Sequence, residues 1–267
     1  MIWTPKLIKP PLGTPIKKGH PLAKGRVGHW LAYPGTTALD VSGNRNHGTL
    51  IANTHLVPGK FGHAWDFDGT GDYVEIADSP VFTLTNGFTI ILWAKADSYA
   101  SDERVVVNQW GSGGAGNAAW LFRVNTSGYL QIYTHDGADT GSLSDDTTSI
   151  GTTSWRQLAV SFSGGTTGVN ARLYVDGRQV KSGTLDVVPQ DSAYNVVIGA
   201  KSNDKSDEFD GQIDNVKIYN WALTASAVAW AYRQPFAMFE RPSSIALLSY
   251  AEAAGEGIAI LRRRRVG

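Results

Sequence analysis

Leu39–Leu50, with the sequence LDVSGNRNHGTL, places one Asp, two Asn and several small polar residues between two apolar ends. Carboxylates and amides in such a loop either accept hydrogen bonds from nearby backbone N–H groups or supply oxygen ligands to a hard cation such as calcium. The stretch therefore predicts either a loop held by its own side chains or a loop that wraps an ion.

A second carboxylate stands out far along the chain, in the predicted strand Ile213–Tyr219. Strict alternation along this strand places Asp214 on the same face as Val216 and Ile218, with Lys217 on the opposite face. A carboxylate on an apolar face is costly unless it is hydrogen-bonded, paired with a cation or bound to a metal.

The first and last strands of a β-sandwich are often neighbours, so the two polar regions can meet. Asp40, Asn46 and Asp214 are therefore the candidate ligands of one calcium ion, with backbone carbonyls completing its coordination. The alternative is an Asx-turn in the loop and an Asp214 carboxylate that accepts hydrogen bonds from backbone N–H groups.

Aromatic side chains suggest a second kind of site. Trp110 and Trp120 flank the glycine-rich segment 111–119, and Tyr99 and Tyr133 lie near the ends of predicted strands. Sugars stack on exposed aromatic rings while polar groups fix their hydroxyls, so Trp110, Tyr99 and Tyr133 are the candidate carbohydrate-binding residues. The alternative, which we favour for Trp120, is that these rings belong to the core.

The elements that must position these residues are predicted to be short β-strands. GFTIILWAKA at 87–96 is apolar on both faces, as in a central strand, and WRQLAVSF at 155–162 alternates. The Asp-Gly pair at 176–177 suits a type I′ hairpin turn, and Thr224 is placed to cap a short helix. Many short strands with regular turns predict an all-β sandwich or jelly roll.

Composition limits the classes of protein. The chain has 267 residues, of which 42% are hydrophobic, and it contains no Cys. This is enough to fill one large β domain, and it excludes disulfides, thiolate metal sites and a Cys nucleophile.

The formal net charge of zero hides an uneven distribution. Residues 1–26 carry six basic and no acidic side chains, whereas residues 27–239 carry 13 basic and 21 acidic ones. The acidic body disfavours nucleic-acid binding. The basic arms predict contacts with other subunits and a homo-oligomer, although a solvated basic tail is the alternative.

The two ends of the chain bear on whether the protein is exported or inserted into a membrane. The first 25 residues are rich in Pro and lack the apolar run of a signal peptide, which predicts an extended arm. Near the other end, Ile245–Leu261 is apolar but contains Glu252 and Glu256, so we predict no membrane span. The order Pro-Ser-Ser, apolar stretch, Arg cluster resembles a PEP-CTERM surface-sorting tail, but an assembly tail fits this sequence better.

An ordered series of motifs resembles the laminin-G-like jelly-roll family of the concanavalin A-like superfamily. The motifs, within residues 28–232, are DVSGNRNHGTL, GKFGHAWDFDGTGDYVEI, GFTIILWAKA, WRQLAVSF, RLYVDGRQV, VVIGA and FDGQIDNVKIYNWALTASAV. The resemblance implies two stacked antiparallel sheets, a structural calcium ion near the first-strand loop, and a role in glycan or protein adhesion. Asp40 and Asp214 match the family's acidic positions, and Asn46 matches a position that uses its side chain or backbone.

The resemblance does not extend to catalysis. Glucanases of this fold carry their carboxylates on one strand in the pattern E-x-D-x-x-E, and two acids must flank the scissile bond. This chain lacks that pattern; Asp66-Phe67-Asp68 is the nearest alternating pair and abuts a turn. We therefore expect a protein that is not an enzyme.

Two short segments resemble parts of laminin-G-like proteins of tailed bacteriophages. His20–Trp30 is similar to their opening segment, and Gln234–Phe239 is similar to their closing one. We therefore predict an extended arm at 1–27, a jelly-roll domain at 28–233 and an assembly tail at 234–267. The expected function is a non-enzymatic virion structural or decoration protein that displays a lectin-like domain; the alternative is a secreted or surface-anchored carbohydrate-binding module or adhesin.

Overall fold

The computed structural model describes residues 8–99, 104–111 and 119–240. Two 3-10 turns, at Pro21–Ala23 and Pro80–Phe82, accompany the regular elements. The strands and the helix are β1 (Arg26–Trp30), β2 (Thr37–Ala38), β3 (Gly48–Ile51), β4 (His55–Gly59), β5 (Gly62–Asp68), β6 (Tyr73–Ile76), β7 (Phe88–Ala96), β8 (Arg104–Gln109), β9 (Trp120–Val124), β10 (Leu130–His135), β11 (Thr140–Ser144), β12 (Arg156–Phe162), β13 (Ala171–Val175), β14 (Arg178–Gly183), β15 (Val196–Ile198), β16 (Asp210–Tyr219) and α1 (Ala225–Arg233).

The described strands form two antiparallel sheets of eight strands each. Sheet 1 has the order β14-β13-β12-β7-β16-β5-β4, and β1 also pairs with β16. Sheet 2 has the order β11-β10-β9-β8-β15-β6-β3-β2. The first and last strands of the chain are thus neighbours, and the predicted all-β jelly-roll sandwich is confirmed.

Sheet 1 is covered on both faces. Its inner face packs on sheet 2 through a large core that includes Trp30, Phe88 and Phe122. A second, smaller core on its outer face joins Ile91 and Tyr219 to α1 and to the segments that flank the domain. This explains why β7, at the centre of sheet 1, is apolar on both faces.

The local predictions for hairpin and helix are confirmed. Asp176 and Gly177 both have positive φ, at 50° and 72°, as a type I′ turn requires, and they join β13 to β14. The Thr224 side chain accepts a hydrogen bond from the backbone N–H of Ala227 at the start of α1.

The described parts of the arm and of the tail lie against the domain and against each other. Ile16 forms a β-bridge with Phe239, and the N–H of Lys17 donates to the carbonyl of Met238 at 2.9 Å. The predicted tail beyond Glu240, with its apolar stretch and Arg cluster, lies outside the described residues. Within the described ranges, no helix is long and apolar enough to cross a membrane.

Candidate functional site

The loop of residues 39–50 is held by its own side chains. One oxygen of Asp40, Oδ1, accepts from the N–H groups of His29 at 2.9 Å and Ser42 at 2.8 Å. The other, Oδ2, accepts from Ser42 Oγ at 2.7 Å and from the N–H of Asn46 at 3.0 Å. The backbone carbonyl of Asn46 accepts from Trp30 Nε1 at 2.7 Å, and the side-chain amide of Asn46 donates to the backbone carbonyl of Val27.

Asp214 does not lie on the inner face of sheet 1, so that prediction was wrong. The register of β16 shifts between Asp214 and Lys217, and Asn215 in this bulge has a φ of 56°. A bulge inserts one extra residue and breaks the period-two alternation. Val216 and Ile218 remain in the inner core.

The outer face receives both charged residues of this strand. Asp214 lies opposite Trp93, whose ring stacks on Tyr232 of α1. Lys217 lies opposite Ile91, a member of the outer core. Residues opposite each other in an antiparallel pair project from the same face, so the two charges share the layer between sheet 1 and its covering segments.

The Asp214 carboxylate finds its partner in the arm. Its Oδ1 accepts from Lys9 Nζ at 2.7 Å, from the N–H of Asn215 at 2.7 Å and from the N–H of Ala32 at 3.3 Å. Its Oδ2 is buried without a hydrogen-bond partner among the described residues. Sequence reasoning missed Lys9, because nothing local in a Pro-rich arm signals a contact 205 residues away.

The three candidate calcium ligands do not fit a shared calcium site as they lie. Asp40 and Asn46 contact each other, but both oxygens of Asp40 already accept hydrogen bonds from the loop. Asp214 is paired with an ammonium group instead. Among the described residues, no group of three or more His, Cys, Asp or Glu side chains could hold a metal ion. Calcium binding stays a prediction.

A cluster of buried basic side chains surrounds this ion pair. His29 Nε2 lies 2.8 Å from Asn215 Oδ1, and His29 Nδ1 and Lys217 Nζ are buried without partners in the described part of the chain. Burial, followed by the positive charges of Lys217 and Arg26, lowers the pKa of His29 well below its usual value. Burial, followed by the charge of Arg26, lowers the pKa of Lys217 to about 7.

The outer face of sheet 2 carries an aromatic cluster that includes two of the three predicted sugar-binding residues. Half-buried Trp110, directly after β8, meets the ring of Tyr133 on β10 edge-on at 6.3 Å between centroids. It also meets His135 at 5.9 Å. The Nδ1 of His135 accepts from the N–H of Gly137 at 2.7 Å, so the neutral ring carries its proton on Nε2.

Polar side chains extend this cluster across neighbouring strands. Arg123 on β9 donates from Nη2 to the hydroxyl of Tyr133 at 2.8 Å, and its guanidinium lies 4.5 Å from the centroid of that ring. Its Nε donates to Gln131 Oε1 at 2.9 Å, and Gln131 Nε2 donates to Ser144 Oγ on β11 at 3.0 Å. We call Trp110, Arg123, Gln131, Tyr133 and Ser144 the sheet 2 strip.

The strip offers aromatic surface beside oriented hydrogen-bonding groups. That combination suits a ligand with one apolar C–H face and a rim of hydroxyls. The sequence prediction named Trp110 and Tyr133, and it did not include Arg123 and Gln131. Their positions opposite each other in the antiparallel pair of β9 and β10 were the available signal.

The third predicted sugar-binding residue lies elsewhere. Tyr99 is 8% exposed, belongs to the inner core, and donates from its hydroxyl to the carbonyl of Gly151 at 2.6 Å. Burial raises the pKa of this phenol. Trp120 is fully buried in the same core, as we expected.

A cavity of about 420 Å³ opens at the turn between β13 and β14. Arg156 and Arg178 line it together with Asp176, and Arg156 Nη1 lies 3.1 Å from Asp176 Oδ2. The mixture of charges makes it a polar cavity, at a place separate from the sheet 2 strip.

Asp66 and Asp68, the nearest alternating pair of carboxylates, lie in strand pairing and at a turn. Asp66 lies opposite Gln212, and Asp68 lies opposite Asp210 at the end of β16. Asp68 Oδ1 accepts from the N–H of Thr70 at 2.8 Å, which stabilises the turn after β5.

Comparisons with known proteins agree with this architecture. A family model described as "Concanavalin A-like lectin/glucanases superfamily" matches residues 68–229. No curated protein gives a significant match to the sequence.

Several solved structures are similar in fold. The binding domain of Paraclostridial Mosquitocidal Protein 1 has a TM-score of 0.65 and 18% identity, over 81% of this chain and 53% of that one. Domain 4 of AbnA, an extracellular arabinanase from Geobacillus stearothermophilus solved with arabinotriose, has a TM-score of 0.59 and 21% identity, over 76% and 96%. The receptor binding domain of a botulinum neurotoxin C/D mosaic serotype has a TM-score of 0.59 and 15% identity, over 79% and 51%. The chain thus spans about half the length of the toxin domains that it matches.

Proposed function

Because the chain belongs to the concanavalin A-like lectin/glucanase superfamily, we propose that it is a non-enzymatic glycan-binding domain that binds sugars on the sheet 2 strip. The observation that carries this proposal is the contact between Trp110 and Tyr133, with Arg123 held against the same tyrosine. Two of the similar solved structures are binding domains by name, and a third, a domain of an arabinanase, was solved with arabinotriose.

The strip supplies the two interactions that sugar recognition needs. Trp110 and Tyr133 are half-buried, so their rings are fixed by the fold while part of their surface stays accessible. Aromatic surface of this kind stacks on the C–H face of a pyranose or furanose. The amide of Gln131 and the hydroxyl of Ser144 provide donors and acceptors for ring hydroxyls.

A binding role accounts for the polar groups better than catalysis does. Arg123 and Gln131 are engaged with each other and with neighbouring side chains, which orients them as hydrogen-bonding groups for a ligand. Hydrolysis of a glycosidic bond needs two carboxyl groups on either side of the bond. The strip contributes none.

The test is glycan binding by the purified full-length protein on a panel of neutral and acidic oligosaccharides, in calcium and again in excess chelator. We expect binding of at least one glycan class, and at least a tenfold loss of affinity in Trp110→Ala and in Tyr133→Ala. The matched control is Trp230→Ala, another half-buried tryptophan, which lies on α1 outside sheet 1. An unmodified protein that binds no glycan, or a Trp110→Ala variant that binds as tightly as it does, would contradict the proposal.

We further propose that the domain is displayed on a bacteriophage particle. The support is the resemblance of its opening and closing segments to those of phage laminin-G-like proteins, together with the contact between them, where the rings of His29 and Phe239 lie 5.7 Å apart between centroids. An antibody against the purified domain, applied to density-gradient fractions of phage particles, should detect the protein in the particle peak. Detection on the surface of uninfected cells would favour the adhesin alternative.

A further inference from the structure

We infer that Asp214 and the carbonyls of Ala32 and His63 form a cation site whose resident cation is the ammonium group of Lys9. The chain thus supplies, from its own arm, the positive charge that a bound metal would otherwise bring to the outer face of sheet 1. The inference is independent of the proposed glycan binding.

The donor set is that of a hard cation. Lys9 Nζ donates to Asp214 Oδ1 at 2.7 Å, to the His63 carbonyl at 2.7 Å and to the Ala32 carbonyl at 3.1 Å. An ammonium group has three N–H donors, and each has one oxygen acceptor here. One carboxylate and two backbone carbonyls are also the ligands that calcium accepts in proteins.

Both members of the ion pair are removed from water. Lys9 is 7% exposed and Asp214 is fully buried. A buried charge is tolerated only when it is paired and hydrogen-bonded, so each of the two groups requires the other. The tyrosine ring of Tyr33, 5.8 Å from Lys9 Nζ, adds a further favourable surface for the cation.

The arm is fastened directly after Lys9 and again further along, which holds the ammonium group in place. The Tyr33 hydroxyl donates to the Pro10 carbonyl at 2.5 Å, directly after Lys9. Further along, Lys17 Nζ donates to the carbonyl of Ala237 at 2.7 Å, and the N–H of Glu240 donates to the carbonyl of Pro15 at 2.8 Å. The position of the cation therefore follows from the packing of the arm between Pro10 and Lys17.

The surrounding charges disfavour a metal ion beside the ammonium group. Arg26, Lys217 and Lys9 all act electrostatically on His29, so they form one local cluster, in which Asp214 and Asp40 are buried acids. A divalent cation added here would be repelled by the positive charges of Arg26 and Lys9. The site is therefore filled when Lys9 is in place.

The experiment compares thermal unfolding of the full-length protein in millimolar calcium and in excess chelator with that of arm variants. We expect the same Tm for the unmodified protein in both solutions. Lys9→Met should lower Tm by roughly 10 °C, because it leaves the Asp214 carboxylate buried without its cation. The control is Lys18→Met, an exposed lysine of the same arm, which should leave Tm unchanged.

A double variant separates loss of charge from loss of packing. Lys9→Met combined with Asp214→Asn removes both charges, so we expect it to recover part of the Tm lost in Lys9→Met. A Tm of the unmodified protein that rises with calcium and falls with chelator would overturn the inference. So would a Lys9→Met variant as stable as the unmodified protein. If Lys9→Met does not fold, the chelation result on the unmodified protein decides.

Discussion

The outer faces of the two sheets use the same kinds of side chain in opposite ways. On sheet 1, the charges of Lys9, Asp214 and Lys217 are buried beneath the arm, α1 and the segment before Glu240. On sheet 2, Arg123 and Tyr133 are half-buried beside Trp110. The first arrangement fastens the ends of the chain to the sandwich, whereas the second leaves polar and aromatic groups within reach of a ligand.

The difference follows from what covers each sheet. Covering sheet 1 removes water from its polar groups, so each of them needs a partner from the protein. Leaving sheet 2 partly open lets water or a ligand complete the hydrogen bonds of the strip. Substitutions on sheet 1 should therefore change stability, and substitutions on the sheet 2 strip should change binding.

The largest effect is expected from removing the buried acid of sheet 1. Asp214→Ala leaves the Lys9 ammonium group in a buried position without its carboxylate, and it should lower the free energy of unfolding by about 3–5 kcal/mol. Urea denaturation measures this change. Ser142→Ala, an exposed position on β11 of sheet 2, is the control and should stay within about 0.5 kcal/mol. Equal losses in both variants would remove the distinction between the faces.

Removing a buried basic group that has no partner should raise the free energy of unfolding, which is the opposite of the effect expected for Asp214→Ala. Lys217→Met keeps the length of the side chain and removes a buried amine that lacks a partner among the described residues. We expect it to raise the free energy of unfolding at pH 7 by roughly 1–3 kcal/mol.

The dependence of stability on pH tests whether the buried amine of Lys217 causes this difference in stability. The pKa of Lys217 is about 7 in the folded protein and 10.5 as its ordinary value, so the unfolded chain binds more protons between these values. Stability should therefore rise with pH across this window in the unmodified protein, and the rise should be smaller in Lys217→Met. A less stable Lys217→Met variant would mean that the amine contributes a favourable contact.

Local sequence patterns predicted most of the fold. The Asp-Gly turn at 176–177, the Thr224 cap and the doubly apolar strand β7 depend on neighbouring residues, and each has the predicted structure. The loop at 39–50 also follows its local chemistry, because Asp40 is close in sequence to Ser42 and Asn46, whose N–H groups it binds.

The contacts on the outer face of sheet 1 could not be predicted in the same way. The bulge at Asn215 places a non-glycine residue at positive φ; Asn tolerates this conformation, but IDNVKIY contains no Gly or Pro that would mark a break in the strand. Its consequence is that Asp214 turns toward the arm. The contact with Lys9 joins the two ends of the chain, so alternation and spacing carry no information about it. Tyr99 was misjudged for a related reason, since its hydroxyl reaches a carbonyl 52 residues away.

The smallest effects are expected from removing a single tyrosine hydroxyl on each sheet. Tyr133→Phe removes the acceptor of Arg123 on the strip, and Tyr219→Phe removes a buried donor to the Leu22 carbonyl at 3.0 Å. Removing one buried partner costs about 1 kcal/mol and leaves the other unsatisfied, whereas water can replace a hydroxyl on a half-exposed surface.

We therefore expect Tyr219→Phe to lower the free energy of unfolding by about 1 kcal/mol without changing glycan affinity. Tyr133→Phe should leave stability within about 0.5 kcal/mol and weaken glycan binding a few-fold, less than Tyr133→Ala, because the stacking ring is kept. Urea denaturation and a glycan titration on the same two proteins measure both quantities. If the two variants exchange these effects, then sheet 1, beneath its covering segments, holds the binding surface and the sheet 2 strip is structural.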